Sequence, residues 1–375
     1  MRIYARRMLT EAGFASDQVV TIEDGVITAI EAGREAPFAA EILTPGLIDV
    51  HCHGGEGFNA KDRTIEAIAP FLQKMLRSGV THFLLTISTA KKETMRRALA
   101  LTREAMARQA RGVLGGARIL GAHLEGPFLS SARPGAMQQD AIVRPSVDAY
   151  RDYFSGYEDI IRLVTLAPEE QGAEELIAYL HRAGIKVQAG HTYATYDQAV
   201  QGFSWGAESL CHSFNACRGI HHREPGVVTA ALENPDVYME AICDFLHLHP
   251  AIVKLIYREK GPDRMLAVSD SVLSHGLPDG EYRLEGYHLV VRDGITRTVD
   301  GALDGGVAYL DQAVRNLISV GVPAADALRM ASRTPARRMG LEYLGDIAVG
   351  KEASLTAWDG RWQVVRTFVR GQAGR

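Results

Sequence analysis

The chain predicts an α/β fold, a (β/α)8 TIM-like barrel carrying a small β-sandwich domain made by both termini, and three observations predict it. Eight short apolar runs recur through the middle of the chain, with amphipathic stretches of helical spacing between them. The two ends have another style, β-branched runs interrupted by Asp-Gly turns. Histidines and carboxylates gather where the apolar runs finish, and C-terminal strand ends are where barrel enzymes build their sites. A length of 375 residues, 46% apolar and 23% charged, suits one large domain with a small appendage.

At the N-terminus "RIYARRML" and "QVVTIEDGVITAIEAG" read as strands, with Asp24-Gly25 as a hairpin turn. The C-terminal "ASLTAWDGRWQVVRTFVRGQ" repeats that style, with Asp359-Gly360 as its turn. Residues 1–44 and 345–375 are therefore expected to share the small β domain, and 45–344 to form the barrel. The barrel strands are "GLIDVHCH", "THFLLTIS", "RILGAHLEG", "IIRLVTLAP", "KVQAGHT", "ESLCHSFNA", "YMEAICDFLH" and "RMLAVSDS". Helical spacing marks 62–78, 91–110, 172–183 and 249–259. After the eighth strand "LPDGEYRLEGYHLVVRDGITRTVDG" reads as a hairpin excursion, and helices are expected near 307–320 and 323–340. The alternative is a doubly wound open sheet, which no phosphate-loop or dinucleotide-type glycine pattern supports.

A formal charge of −4 without a long single-sign block argues against a nucleic-acid or membrane-surface binder. No apolar run approaches the roughly 20 residues that span a bilayer, and "MRIYARRMLTEAG" lacks a signal-type core, so a cytoplasmic protein is expected. The four cysteines form no CxxC pair and no disulfide framework. Cys52 and Cys211 each adjoin a histidine of interest and read as small residues packed behind a site.

In an extended strand, residues i and i+2 share a face, so His51 and His53 in "GLIDVHCHGG" present two imidazoles side by side. Other strand ends carry His123 and Glu125, His191, His212, Asp244 and His247, and Asp270. Imidazoles and a carboxylate that leave a coordination position open are the composition of a catalytic metal site. Glu125, His191 and His212 are the expected ligands of one divalent ion, with His51 and His53 completing a second position and Glu125 bridging the two. Asp270, ending "RMLAVSDS", is placed to shuttle a proton: a metal brings the pKa of its water toward roughly 7, and a nearby carboxylate takes that proton and returns it to the leaving group.

These residues lie in motifs that carry a resemblance. "PGLIDVHCHGG", "GAHLEGPFL", "VTLAPE", "AGHTYAT", "CHSFNA", "HHREPG" and "RMASRTPARRMGL…LGDIAVGKEASL" occur in the order found in the amidohydrolase superfamily. Within it, the chain resembles the N-acetylglucosamine-6-phosphate deacetylases and the similar N-acetylgalactosamine-6-phosphate deacetylases. "HLEGPF" together with "HREPG" is specific to that branch; His-x-His is shared more widely.

The resemblance implies hydrolysis of the acetamide of a phosphorylated amino sugar to the free amine and acetate, Glu125, His191 and His212 matching metal ligands and Asp270 the acid/base. Both first-strand histidines are kept, so two ions are implied as well as one, zinc foremost and iron(II) as the other candidate. Asn215 and Ala216 match the segment that contacts the sugar phosphate, Arg223 the arginine that binds it, and His247 a sugar-binding histidine. Ala136 and Leu303 fall in the matching substrate loops. A neighbouring subunit closes the phosphate pocket in the family, so a homodimer is implied.

The departures lie on the substrate side. "GAM" places Met137 where the family has histidine, "DFLH" places Phe245 for glycine, and "LDGG" introduces Asp304 and has Gly306 for serine. Other readings stay open: hydrolysis of a different N-acyl amine or a cyclic amide, or a low-activity binding paralogue.

Overall fold

The computed structural model describes residues 1–61, 64–284, 287–299 and 301–374. Eight parallel strands pair in chain order: β1 (Leu47–Cys52), β2 (Val80–Ser88), β3 (Arg118–Glu125), β4 (Ile161–Leu166), β5 (Lys186–Ala189), β6 (Ser209–Leu210), β7 (Tyr238–Ile242) and β8 (Met265–Val268). A parallel bridge between Cys52 and Ser271 joins β1 to the chain leaving β8. Backbone bonds from Asp270 N to His51 O (2.9 Å) and from His53 N to Ser271 O (2.8 Å) complete the closure. All eight expected strands are present. Parallel strands covered on both faces read as unbroken apolar runs, and every residue of β2 is buried.

Several expected strands stop early, and for one reason. After β5, β6, β7 and β8 the chain turns through left-handed backbone at His191, His212, Phe245 and Asp270 (φ 46°, 21°, 65° and 48°). Extended pairing ends at these residues, and His191, His212 and Asp270 turn toward the cavity at the barrel mouth while Phe245 packs against the core. Phe245, at a position where the resemblance leads one to expect glycine, holds the left-handed conformation that glycine adopts without steric cost.

The expected helices occur at Ile68–Arg77, Lys92–Ala110, Ala173–Arg182 and Pro250–Arg264. The start of the first expected segment, residues 62–63, lies outside the described residues. A capping box of Thr195 and Gln198 opens the helix Tyr196–Trp205 and ties down the loop carrying His191. The late segment expected as one helix over 323–340 is two, Ala324–Met330 and Arg333–Arg338. Pro335 explains the break, since in a continuous helix its ring would clash with the carbonyl of residue 331. Ala336, Met339, Leu341 and Leu344 then pack with Ile48, Leu84, Leu163 and Leu266 from the strands.

The two termini build a separate sheet of seven strands, four from residues 2–45 and three from residues 355–373. Asp24 and Gly25, both left-handed, make the expected two-residue turn, with Glu23 opposite Val26. The Asp359-Gly360 turn is instead a longer loop, in which the Asp359 carboxylate accepts the backbone N–H groups of Arg361 and Gln363 (both 2.8 Å). The Asp24-Gly25 turn meets the chain entering the strand Leu355–Trp358 through Ala353 N to Gly25 O (2.8 Å), and Ile3, Val20, Ile27, Leu43, Leu355 and Phe368 form the core of this sheet. The excursion after β8 is a three-stranded antiparallel meander of Gly280–Leu284, Tyr287–Arg292 and Ile295–Thr298. Residues 285, 286 and 300 of that expected segment lie outside the described residues.

Candidate metal centre and active site

Five strand ends deliver one cluster. Glu125 Oε1, from the end of β3, lies 3.1 Å from His191 Nε2 and 2.9 Å from His212 Nε2, and the two nitrogens are 3.1 Å apart. One proton cannot satisfy three converging lone-pair atoms, whereas ligands on a shared ion at roughly 2.0–2.2 Å have such separations. The carbonyl of Arg133 faces His191 Nδ1 at 3.2 Å, so Nδ1 carries the hydrogen and the Nε2 lone pair faces the cluster.

His51 and His53 converge as their shared strand face requires. Their Nε2 atoms lie 3.3 and 3.2 Å from Asp270 Oδ1. His51 Nε2 is also 3.4 Å from Glu125 Oε1, and His53 Nε2 is 3.3 Å from Glu125 Oε2. Glu125 therefore faces both sets, Oε1 toward His191, His212 and His51 and Oε2 toward His53. His51 Nε2 and Glu125 Oε2 are buried without a hydrogen-bond partner among the described residues. Orphaned, converging lone pairs of this chemistry fit a divalent cation.

Asp270 is held by backbone on both sides, its N–H on His51 O and its carbonyl accepting from Gly306 N (2.8 Å). The glycine at 306 has a steric reason: a Cβ there would lie 2.0 Å from Ser269 O. Above the cluster opens one cavity, lined by Glu125, His191, His212, His53 and Asp270 and also by Ala136, Asn215, Ala216, His247 and Leu303. His247 is fixed by Asp244, whose Oδ2 lies 2.8 Å from its Nδ1. Arg223 does not join them: it is exposed, with its guanidinium on His222 Nε2 at 2.7 Å.

Among the departures, Met137 and Asp304 line the cavity, while Phe245 packs against the main apolar core instead. Burial pushes the Asp304 carboxyl up to about 6, against the pull of His53 and Lys61. His123 is a strand-end histidine of another kind. It lies inside the barrel, Nδ1 3.1 Å from Thr86 Oγ1 and Nε2 2.7 Å from Thr165 Oγ1, and burial beside His51 keeps it neutral. Cys211 packs behind the cluster, its sulfur 3.7 Å from His51 Nδ1.

Sequence reasoning missed a layer beneath the cluster. Glu240 of β7 reaches His51 Nδ1 at 3.0 Å, and Arg338 reaches Glu240 Oε1 at 2.9 Å. The signals were a lone glutamate in the apolar run "YMEAIC" and an arginine in "TPARRMGL". Also unforeseen were Asn59, Lys61 and Ser88 in the cavity lining.

A sequence model for the amidohydrolase family matches residues 42–374. The chain is 36% identical to the N-acetylgalactosamine-6-phosphate deacetylase of Escherichia coli O157:H7, over 98% of this chain and 97% of that one. It is also 36% identical to the N-acetylglucosamine-6-phosphate deacetylase of Vibrio furnissii, over 98% of this chain and 93% of the relative. Its structure is similar, with a TM-score of 0.92 and 32% identity over 100% of this chain and 99% of the other, to that of an aspartate-to-alanine variant of the Mycobacterium smegmatis N-acetyl-D-glucosamine-6-phosphate deacetylase in complex with N-acetyl-D-glucosamine-6-phosphate.

Proposed function

This chain belongs to the amidohydrolase family, and from that premise we propose that it removes the acetyl group of an N-acetylated amino sugar phosphate, of the N-acetylglucosamine-6-phosphate or N-acetylgalactosamine-6-phosphate type, releasing the amine and acetate. The observation that carries the proposal is the convergence of Glu125, His191 and His212 at the floor of a cavity that also holds the Asp270 carboxylate.

Glu125, His191 and His212 would hold one divalent ion, and His51 and His53 with Glu125 would hold another. Zinc suits this donor set best, and iron(II) is the other candidate. When bound, the ions supply Lewis acidity for the acetamide carbonyl and a water that is nucleophilic at neutral pH. Asp270 takes the proton from the attacking water and delivers it to the departing amine nitrogen. Asn215, Ala216, Ala136, Leu303 and His247 orient the sugar. Arg223, outside the cavity of its own chain, meets the phosphate in a homodimer, where a guanidinium fork matches phosphate oxygens. Among the described residues no helix is long and apolar enough to cross a membrane, and the reading places the enzyme in the cytoplasm.

A second reading, a different N-acyl amine as substrate, is favoured by Asp304 and Met137 in the cavity lining. A carboxylate there disfavours an anionic neighbour and favours a hydroxyl or a cation. One assay separates the two: bound metal and amine release are measured over N-acetylhexosamine-6-phosphates, their unphosphorylated forms and other N-acyl amines. Metal-loaded protein that releases amine fastest from a hexosamine-6-phosphate supports the first reading; turnover confined to other amides sinks it.

A further inference from the structure

We propose that Glu240, clamped by Arg338, is a positioning residue that sets the tautomer of His51 and thereby the affinity of the position that His51 and His53 form with Glu125. The inference rests on the two-ion reading above and concerns one of its two positions.

Glu240 and Arg338 are both buried, and they meet inside the barrel although 98 residues separate them in the chain. Arg338 arrives from the helix Arg333–Arg338 and places Nη1 2.9 Å from Glu240 Oε1. Its other terminal nitrogen donates to Gln188 Oε1 and Ser209 Oγ. The guanidinium therefore cannot rotate without losing several bonds at once.

The second oxygen, Glu240 Oε2, accepts the His212 backbone N–H at 3.3 Å and faces His51 Nδ1 at 3.0 Å. An ionised carboxylate only accepts, so His51 Nδ1 carries the hydrogen. Its lone pair is then on Nε2, the buried atom without a partner that faces Asp270 and Glu125. A carboxylate behind a ligating imidazole both fixes this tautomer and makes the ring a better donor. The other histidines are supported differently: His191 leans on a carbonyl, and His212 Nδ1 has no partner among the described residues.

Glu240→Gln separates positioning from packing because the shapes match. Arg338 offers only donors, so the amide oxygen must turn toward it and the NH2 toward His51. That NH2 donates to Nδ1, moves the ring hydrogen to Nε2 and blocks it as a ligand. Adding Arg338→Met releases the amide, whose oxygen can then turn back to His51 Nδ1 and the His212 N–H, and it also relieves a buried unpaired charge should the single variant fold poorly.

The test uses full-length protein stripped of metal and reloaded with Zn2+, read by metal content per chain and by competition with a chromophoric chelator. His51→Asn serves as the one-ion reference. Wild type is expected to bind two ions and Glu240→Gln to bind the second roughly 10–100-fold more weakly with the first unchanged. The double variant should recover most of that loss. Two ions held by Glu240→Gln with wild-type affinity would overturn the inference alone, as would a loss that the double variant does not recover. A wild type that binds a single ion would overturn the two-ion reading and this inference with it.

Discussion

The floor and the wall of the cavity are built by different means. On the floor, Glu125, His51, His191 and His212 are all buried and held by strand hydrogen bonds, left-handed turns and a polar layer below. On the wall, Met137, Asp304 and Lys61 are half-buried and stand on loops. A change on the floor reaches several buried polar groups at once, while a change on the wall reaches few. Of the departures, Met137 and Asp304 fall on the wall, Phe245 packs against the core and Gly306 backs Asp270, while the residues expected to do chemistry stand together on the floor. Under the proposed function, reaction type and substrate choice are expected to be separable.

The strongest attempt to break that separation is Glu125→Gln. It removes the charge that faces both sets of histidines, and catalysis should fall by roughly three orders of magnitude or more, with metal lost and the fold retained. Metal analysis beside a circular dichroism melt checks it; stoichiometric metal in the variant would remove Glu125 from the ligand set. Next comes Asp270→Asn, which keeps shape but cannot accept a proton, so kcat should drop by about 10² to 10⁴ while metal content stays at the wild-type level.

Wall substitutions should act on selectivity. Asp304→Asn is expected to raise KM roughly tenfold for substrates whose hydroxyl or amine faces that carboxylate, leaving metal content unchanged. Because burial lifts the Asp304 carboxyl to about 6, it is ionised above that pH and neutral below. Wild-type KM should therefore worsen as pH falls through 6 and the Asn variant's should not; parallel pH profiles would dismiss the role. The smallest and most selective effect is expected of Arg223→Ala, with weaker affinity for phosphorylated substrates and almost none for plain acetyl amino sugars. Equal losses on both would mean that Arg223 supports structure rather than phosphate.

Much of this was legible in the chain because it depends on near neighbours. The eight apolar runs could be read as strands since a barrel buries both faces of its strands. His51 and His53 could be paired since alternation along a strand is a local rule. Asp24-Gly25 announced its turn because only residues at ease with positive φ fit it. Tertiary structure decided whatever depends on distant partners. Left-handed backbone at His191, His212 and Asp270 is held by barrel closure and loop packing, since the modest tolerance of His and Asp for that conformation does not by itself select it. Glu240 and Arg338 show the same limit, since a glutamate in an apolar run has no visible partner until the barrel closes. Burying a charge is tolerable only when its counter-charge arrives with it, and here that counter-charge comes from a helix 98 residues further along the chain.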